Sequence, residues 1–392
     1  MENPYRPAPG SDPPALVGRD GELSAMELAV KLTASRGAAQ PIVVVGLRGM
    51  GKTALLRRAV RHPDSKPVVL YAEGSEHQSL AAAFRRSLER ASTELASGRD
   101  RFKTTLDTIV RKLPKASFEL PHDLGAIALE GTQSEAETKP FFDVIYELNE
   151  AAAKHGRFLV FAIDEIQTVR VVDLLPVVEF VHETAGSNNP ALLLGAGLPN
   201  SRLHLHRVKT YTERWRYFRL ELLSPGEARD AIDLPARERG VDIEDGALDL
   251  LARESAGYPF FIQELGSAAW ATRTGSTVTV EQVRGMLPGV RKLLDNSLYE
   301  PVFEPLSAAE MEYAFELAKL GPGPHRVGRI AAALGSRVEK LNWIRNQLIK
   351  KDVAYSPATG LLEFRLPLTE RFVRRNARAL AKRLAPEPRD RH

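Results

Sequence analysis

The residues with the clearest chemical role lie in a glycine-rich stretch that follows a short apolar run. Residues 42–45 are β-branched, and the pattern G-x-x-x-x-G-K-T runs from Gly46 to Thr53. Glycines let the backbone curl so that successive N–H groups face phosphate oxygens, and the following helix adds partial positive charge at its N-terminus. Lys52 is expected to reach the β- and γ-phosphates, and the Thr53 hydroxyl to ligate Mg²⁺. The strand–loop–helix setting favours a phosphate-binding loop over an ordinary glycine-rich turn.

A second stretch supplies two carboxylates. Residues 158–164 read FLVFAID, an apolar run that ends at Asp164, and Glu165 follows. A buried parallel strand is apolar on both faces, so a charge at its C-terminal end lies at the sheet edge where ligands bind. Asp164 is expected to hold Mg²⁺ through its water shell, and Glu165 to polarise an attacking water as general base. An Asp-Glu pair after an apolar run is common by chance, but together with a phosphate-binding loop it predicts ATP hydrolysis.

The two stretches together predict ATP and Mg²⁺ as the ligands of the chain, with ADP as the product. The expected Mg²⁺ ligands are Thr53 and Asp164. The residues expected around the phosphates are Gly46, Arg48, Gly49, Met50, Gly51, Lys52, Thr53 and Ala54.

The composition of the 392 residues favours a soluble, cytoplasmic protein with two or three domains. No apolar run approaches the roughly 18 residues that a membrane span requires, so no membrane partner is expected. The Pro-rich N-terminus lacks the apolar core of a signal peptide. The absence of cysteine excludes disulfides, thiol catalysis and cysteine-ligated zinc, and the nine histidines show no metal-ligand spacing.

Apolar strands alternate with helical patterns over residues 15–222, which predicts a three-layer α/β P-loop NTPase core. Residues 223–295 predict a helical lid whose first helix begins at a capping box of Ser224 and Glu227. The expected regions are a disordered N-terminus (1–14), the ATPase core (15–222), the lid (223–295), a winged helix domain (296–384) and a tail (385–392). The expected core strands are Ile42–Val45, Pro67–Tyr71, Phe158–Asp164, Ala191–Ala196 and Tyr217–Leu222.

A long excursion separates the second and third expected strands. Its pattern predicts helices at Leu80–Leu95, Arg101–Leu113 and Thr138–His155, and an alternating segment at Ala116–Leu129. This excursion, residues 75–140, is where we expect an unidentified protein partner to bind.

The C-terminal region predicts helices at Ser307–Leu320, Val327–Leu334 and Ser336–Lys351, then strands at Val353–Tyr355 and Leu361–Leu366. Three helices followed by a β-hairpin are typical of a winged helix-turn-helix. From Arg326 onward, 16 Lys and Arg face 6 Asp and Glu, a charge of +10 in a chain of +4, which leaves −6 for the preceding residues. This basic portion suggests a polyanion partner, although a solvated basic tail has the same composition.

The third of these helices carries side chains expected to contact double-stranded DNA. Its apolar arc should face the core, and Arg345 falls inside that arc, where we expect an internal contact. The expected DNA contacts on this helix are Lys340, Asn342, Asn346 and Lys350, and Arg374 and Arg375 of the basic wing and tail are expected to lie against phosphates. Asn and Lys suit base-edge and phosphate contacts, but many winged helices bind proteins instead.

At its N-terminal end the chain resembles a known group of ATPases. VGRDGEL, from Val17 to Leu23, is similar to the VGRExEL box before the phosphate-binding loop in AAA+ ATPases of the replication-initiator (origin-recognition) type and in STAND signalling ATPases. The resemblance implies that Val17, Gly18 and Arg19 border the adenine.

Gly257-Tyr258-Pro259 resembles the GxP motif of STAND proteins, whose proline packs near the adenine. Pro259 is therefore a candidate adenine contact, and an ordinary turn between helices is the alternative. The order of VGR box, phosphate-binding loop, Asp-Glu strand, helical lid and winged helix covers nearly the whole chain. Such a match is specific for fold and weak for biological role.

Two positions bear on how far the resemblance extends. The fourth strand ends in GAGLPN, residues 195–200, where AAA+ proteins usually place a polar sensor, which leaves Asn200 as the candidate. Arg214 lies where related proteins present an arginine to the γ-phosphate of a neighbouring subunit, which implies an ATP-dependent homo-oligomer. An ion pair of Arg214 with Glu213 or with the lid is the alternative.

Three functions are compatible with these features. The favoured one is an ATPase in which the nucleotide state controls DNA binding through the winged helix. The second is a STAND-like signalling or defence switch whose winged helix clamps the nucleotide and gates protein assembly. A small-molecule P-loop kinase is disfavoured, because a kinase needs an acceptor pocket and lid arginines. Salt-dependent duplex binding separates the first two.

Overall fold

The computed structural model describes residues 2–8, 10–61, 65–75, 78–95, 102–113 and 130–384, and for 130–140 and 381–384 it describes the backbone alone. The chain divides into two compact units. The core unit comprises Gly18–Gly46 and Gly51–Glu221, and the C-terminal unit comprises Met1–Val17, Leu47–Met50 and Leu222–His392. The predicted alternating segment at 116–129 and the predicted tail at 385–392 lie outside the described residues.

The core unit is built on a parallel five-stranded sheet with the strand order β2-β3-β4-β1-β5. The strands are β1 (Ile42–Val45), β2 (Val68–Glu73), β3 (Leu159–Asp164), β4 (Leu192–Gly197) and β5 (Arg216–Arg219). All five lie within two residues of their predicted starts, which confirms the predicted parallel α/β architecture. The predicted fifth strand, Tyr217–Leu222, extends three residues too far, because pairing with β1 ends at Arg219 and Leu222 is 41% exposed.

The three central strands are buried along their whole length, as continuous apolar runs between two helical layers require. The core helices are α1 (Asp20–Ala34), α2 (Lys52–Val60), α3 (Leu80–Glu94), α4 (Phe102–Lys112), α5 (Glu130–Lys154), α6 (Val171–Thr184) and α7 (Ser201–Val208). Short 3₁₀ turns at Ile166–Thr168 and Thr210–Arg214 follow β3 and α7.

Within the excursion between β2 and β3, the described helix α3 contacts both the sheet and helix α5. Phe84 of α3 lies 5.4 Å from the Phe161 ring of β3 and 6.4 Å from the Phe141 ring of α5. Burial of each such ring stabilises the fold by about 1.5–3 kcal/mol. Helices α3 and α4 match their predicted spans within one residue, whereas α5 begins at Glu130 instead of Thr138 because the intervening Glu- and Ala-containing stretch continues the helix.

The first half of the C-terminal unit is mainly helical. It contains α8 (Pro225–Arg237), α9 (Asp245–Ser255), α10 (Pro259–Thr272) and α11 (Val280–Leu294). The predicted capping box at Ser224 and Glu227 is present, and Thr279 and Gln282 form another. A two-residue parallel pair, β6 (Asp242–Ile243) with β7 (Thr277–Val278), was not predicted, because two residues carry no periodicity.

The second half of this unit starts with a π-helical turn (Asp295–Tyr299) and a short α12 (Glu300–Phe303). The elements that follow are α13 (Ala308–Lys319), β8 (His325–Arg326), α14 (Val327–Ala333), α15 (Val338–Lys350), β9 (Ala354–Tyr355), β10 (Leu361–Phe364) and α16 (Thr369–Leu384). The strands form one antiparallel sheet in the order β8-β10-β9. The three predicted helices and the predicted hairpin are all present within two residues of their predicted bounds.

The N-terminal segment departs from its predicted disorder. Tyr5 is only 4% exposed, and its hydroxyl donates a hydrogen bond to the Ile232 carbonyl of α8. Asn3 Nδ2 donates to Ser267 Oγ of α10 at 2.9 Å. Gly266 leaves room for the Tyr5 ring, since a Cβ at this position would overlap it. The low apolar content suggested disorder, but one aromatic anchor is enough to fix the segment on the helices.

Within the described part of the chain, no helix combines the length and the apolar character that crossing a bilayer demands.

Candidate active site

The glycine-rich loop leaves β1 at Gly46, whose N–H donates to the Gly197 carbonyl of β4 at 3.0 Å. Gly49 and Gly51 adopt left-handed φ values of +72° and +86°, which favour glycine over any residue with a Cβ. Gly51 precedes the first residue of α2, and its carbonyl accepts from Leu55 N. The backbone therefore makes the tight turn into a helix N-terminus that the motif predicts.

Lys52 and Thr53 begin α2, and the structure brings Thr53 to the end of β3. Thr53 Oγ1 donates to Asp164 Oδ2 at 2.5 Å, and the Glu165 N–H donates to Asp164 Oδ1 at 2.9 Å. Burial raises the pKa of Asp164, the Thr53 hydrogen bond opposes this rise, and the Glu165 charge adds to it. Lys52 is 5% exposed and its charge favours ionised Asp164.

The donor set at this point suits Mg²⁺. A threonine hydroxyl and a carboxylate are hard oxygen ligands, and they already converge within 2.5 Å of each other. Among the described residues no group of three or more acidic or histidine side chains could hold a metal by itself. Mg²⁺ in nucleotide sites takes one or two carboxylates and completes its shell with phosphates and water, so Thr53 and Asp164 fit the ion.

Glu165 is held in an unusual conformation directly after β3. Its φ is +46°, in the left-handed region, and its carbonyl accepts from Thr168 N at 2.9 Å and Thr168 Oγ1 at 2.8 Å. Its carboxylate Oε2 accepts from Gln167 Nε2 at 2.6 Å. Left-handed conformations of non-glycine residues cost free energy and persist where surrounding contacts impose them.

Gln167 is a residue that the sequence pattern did not single out. Its Oε1 accepts from the Leu198 N–H at 3.0 Å and lies 3.2 Å from Ser201 Oγ, both just after β4. The signal could have been found only in the spatial pairing of β3 with β4, because Gln167 and Leu198 are 31 residues apart.

The residues predicted to border the adenine are divided between the two units. Gly18 and Arg19 belong to the core unit, Val17 and Pro259 to the C-terminal unit. Arg19 is 7% exposed, and its Nη2 donates to the Glu221 carbonyl at 2.7 Å, which ties the start of α1 to the segment after β5. Pro259 is the first residue of α10, where its missing N–H costs nothing.

Residues 47–50, at the tip of the glycine-rich loop, belong to the C-terminal unit and contact Tyr258 there. Tyr258 Oη donates to the Arg48 carbonyl at 3.0 Å, and a Cβ at Gly49 would overlap the Tyr258 ring. Burial raises the pKa of Tyr258, so its hydroxyl remains a hydrogen-bond donor. Arg48 Nη2 also lies 3.8 Å from Asp352 Oδ2. The central tyrosine of the GYP motif is thus a contact that the sequence interpretation missed.

Asn200 and Arg214 have different surroundings. Asn200 Oδ1 is buried and accepts no hydrogen bond from the described residues. Arg214 is exposed, and the alternative ion pair with Glu213 is absent among the described residues. Arg214 precedes β5, whereas the glycine-rich loop follows β1, and the parallel register pairs Arg216 with Ile42. Arg214 and the glycine-rich loop therefore lie at opposite ends of the strands, separated by the roughly 13 Å that four strand residues span.

The predicted DNA contacts differ in availability. Lys340, Asn346 and Lys350 are exposed on α15, and Asn342 is half-buried. Arg375 pairs with Asp295, so its charge is compensated within the unit. Arg374 is exposed and its Nε donates to the Glu370 carbonyl at 3.3 Å.

Arg345 was expected to make an internal contact instead of reading DNA. It is half-buried, and its Nη2 donates to Oδ1 of the adjacent Asn346 at 3.3 Å. Beside Asn346, Trp343 is 64% exposed, the largest apolar side chain presented by α15.

Comparisons with known proteins agree with this arrangement. Residues 15–193 match the family model of the AAA ATPase domain, and residues 296–373 match that of a domain of unknown function, DUF8462. None of the curated proteins compared with the chain matches its sequence significantly.

Solved structures are similar to the chain over most of its length. The Walker-type ATPase PABY2304 of Pyrococcus abyssi has a TM-score of 0.54 at 14% identity, over 92% of this chain and 96% of that one. Cdc6p of Pyrobaculum aerophilum has a TM-score of 0.49 at 14% identity, over 97% and 98%. The RuvB Holliday junction branch migration motor of Thermotoga maritima has a TM-score of 0.45 at 15% identity, over 93% and 98%.

The last two scores are below 0.5, so the structural argument comes from the first, and at its low identity it concerns the fold alone. The core is a parallel α/β P-loop NTPase sheet, and residues 15–193 carry the match to an AAA ATPase domain.

Proposed function

We propose that the protein is a cytoplasmic, Mg²⁺-dependent ATPase that acts as a molecular switch. The observation that carries this proposal is the 2.5 Å hydrogen bond between Thr53 and Asp164, which joins the glycine-rich loop to the acidic end of β3. A loop that only turned the chain would not need a hydroxyl and a buried carboxylate at its end. The match of residues 15–193 to an AAA ATPase domain supports the same conclusion.

The groups around the glycine-rich loop and the end of β3 each have a definite role in this proposal. The backbone N–H groups of the glycine-rich loop and the Lys52 ammonium bind the phosphates, and the α2 N-terminus adds favourable electrostatics. Mg²⁺, when bound by Thr53 and Asp164, neutralises negative charge on the phosphates. Glu165 accepts a proton from the attacking water as general base. The resemblance of the VGR box and the GYP motif makes Val17, Gly18, Arg19 and Pro259 the candidate adenine contacts.

ATP hydrolysis by the purified protein, measured with Lys52→Ala beside wild type, tests the proposal. Loss of the buried Lys52 ammonium should abolish nucleotide binding or turnover, because Lys52, at the start of α2, supplies the positive charge for the β- and γ-phosphates. Lys31→Ala in α1 serves as the matched control, since Lys31 is exposed in the same unit. Equal turnover in Lys52→Ala and wild type would refute the assignment.

We further propose that the C-terminal unit couples nucleotide state to duplex DNA. The element order from α13 to β10, three helices and a hairpin, is typical of a winged helix and supports this proposal, and Lys340, Asn346 and Lys350 are exposed on α15. The +10 charge from Arg326 onward supports a polyanion partner. By linkage, ATP and DNA would change each other's affinity by the same factor.

A STAND-like switch, in which the winged helix gates protein assembly, is the second candidate. The exposed Trp343 favours it, because tryptophan is enriched at the centres of protein interfaces. Compensation of Arg375 by Asp295 also removes one expected phosphate contact. Fluorescence anisotropy of a labelled duplex at two salt concentrations, with ATP and with ADP, decides between the candidates: no duplex binding at low salt in either state favours assembly.

Two further parts of the proposal concern partners. Arg214, exposed at the edge of the sheet away from its own glycine-rich loop, would act on the nucleotide of a neighbouring copy, so ATP would promote self-association. The 75–140 excursion would bind a protein partner, and the exposed side chains of its described helices α3 and α4 are available for this, since their apolar side chains lie in the core.

A further inference from the structure

We propose that Gln167 is a positioning residue that holds the Glu165 carboxylate in place for hydrolysis, an inference that rests on the proposed ATPase function. Gln167 Nε2 donates to Glu165 Oε2 at 2.6 Å. On its other side, Gln167 Oε1 accepts from the Leu198 N–H at 3.0 Å. One amide thus spans the gap between the general base after β3 and the chain that leaves β4.

The direction of this amide is determined by its neighbours. A backbone N–H can only donate, so the side-chain oxygen of Gln167 must face Leu198, and the amide nitrogen must then face Glu165. An ionised carboxylate can only accept, which is the role that Glu165 Oε2 plays in this pair. Hydrogen bonds to a charged acceptor are about twice as strong as neutral ones, so the amide restrains the carboxylate firmly.

Space for the Gln167 amide comes from the glycine-rich end of β4. A Cβ at Gly197 would overlap both Gln167 Oε1 and Ser201 Oγ. The Gly197 carbonyl also accepts from the Gly46 N–H at 3.0 Å, at the start of the phosphate-binding loop. A continuous set of contacts therefore links Gly46, the end of β4, Gln167 and Glu165, and it accounts for a β4 tip without a polar side chain.

The chemical consequence concerns the two oxygens of one carboxylate. Oε2 is engaged by Gln167, whereas Oε1 accepts no hydrogen bond from the described residues and remains available to a water molecule. With its carbonyl fixed by Thr168 and its carboxylate fixed by Gln167, Glu165 has little freedom to turn away. Restraint of the general base lowers the cost of placing it for proton transfer.

The test compares Gln167→Ala, Gln167→Glu and wild type in nucleotide binding and in turnover. Gln167→Ala should lower kcat by about 10–100-fold, the usual effect of removing a group that orients a functional residue, while the ATP Kd stays within about twofold. Gln40→Ala, an exposed glutamine of the same unit, is the control and should leave both unchanged.

Gln167→Glu separates positioning from a purely structural role. Its carboxylate can still accept from the Leu198 N–H, but it repels Glu165 when both are ionised. The variant has lost the N–H donor to Glu165, so its kcat should fall by about 10–100-fold while the ATP Kd stays within about twofold, whereas a residue that only accepted from Leu198 would leave kcat unchanged.

Two results would overturn the inference: a kcat of Gln167→Ala equal to that of wild type, or a kcat of Gln167→Glu equal to that of wild type. The failure of the proposed function has a different signature, because wild type itself would then show no turnover that Lys52→Ala removes. A variant that fails to fold would be recognised by loss of nucleotide binding, and Gln167→Glu, which keeps the acceptor for Leu198, then carries the test.

Discussion

The end of β3 in the core unit and the exposed side of α15 in the C-terminal unit are both rich in polar residues, but they are organised differently. At β3, Thr53, Asp164, Glu165 and Gln167 are joined by hydrogen bonds of 2.5–2.9 Å among themselves and to nearby backbone. On α15, Lys340 and Lys350 extend into solvent without such mutual contacts. The comparison teaches that the polar groups at the end of β3 are already held in place by one another, whereas the proposed contact residues of α15 would be ordered only by a partner.

The largest expected effect concerns whether the site at the end of β3 is complete within one chain. If Arg214 completes the site of a neighbouring copy, specific activity should rise with protein concentration, and Arg214→Ala should remove a gain of about 10³–10⁵-fold. ATPase rates over a hundredfold range of protein concentration provide the measurement. Arg207→Ala, an exposed arginine of α7, is the matched control.

A flat specific activity in wild type would show that no residue acts between copies. The core site would then be complete within one chain, and the exposed Arg214 would have no part in hydrolysis.

A smaller effect sharpens the description of α15. Asn346→Ala should change the preferred duplex sequence by about 1–3 kcal/mol at one base pair, because an asparagine amide reads a base edge. Replacing Lys340 and Lys350 by alanine should instead weaken all duplexes alike and reduce the salt slope by about 0.9 for each lost phosphate contact. Anisotropy titrations at several salt concentrations measure both, with Lys319→Ala on α13 as control. Uniform loss from Asn346→Ala would contradict base reading.

The smallest effect concerns the pH dependence of the core site. Burial raises the pKa of Asp164 above the ordinary 3.8, and protons compete with Mg²⁺ for this carboxylate. As the pH falls, the Mg²⁺-dependent affinity for ATP should therefore begin to decline at a higher pH than it would with an exposed aspartate. Calorimetric titrations of wild type and Asp164→Asn measure it, and identical pH profiles would contradict the role of Asp164.

The raised pKa of Asp164 also affects the stability of the fold, to which this residue should contribute more at low pH than at neutral pH. A buried carboxyl that prefers its proton contributes stability at low pH, and this contribution is lost as the pH rises through the folded-state pKa of Asp164. If Asp164 is the Mg²⁺ ligand that we propose, the ionised form needed there costs the fold some stability at neutral pH.

Much of the fold follows from local patterns, and the site follows only in part. Buried parallel strands appear as continuous apolar runs, so β1 and β3 could be located. Lys52 follows from a motif with a fixed spacing, and Asp164 from the carboxylate that ends the apolar run of β3. Tyr5 could not be predicted, because its burial depends on a groove between α8 and α10 more than 200 residues away. Gln167 was missed for the same reason: its role depends on a strand pairing that sequence spacing does not show.

The most direct test of the central claim is a single-turnover measurement of ATP hydrolysis in wild type and Glu165→Gln, with ATP bound first and Mg²⁺ added afterwards. The substitution neutralises the carboxylate that accepts the proton from water and keeps its shape. We predict that ATP binding persists within about twofold and that hydrolysis slows by about 10²–10⁴-fold. Equal hydrolysis rates in the two proteins would contradict the assignment of Glu165 as the general base and the ATPase site built around it.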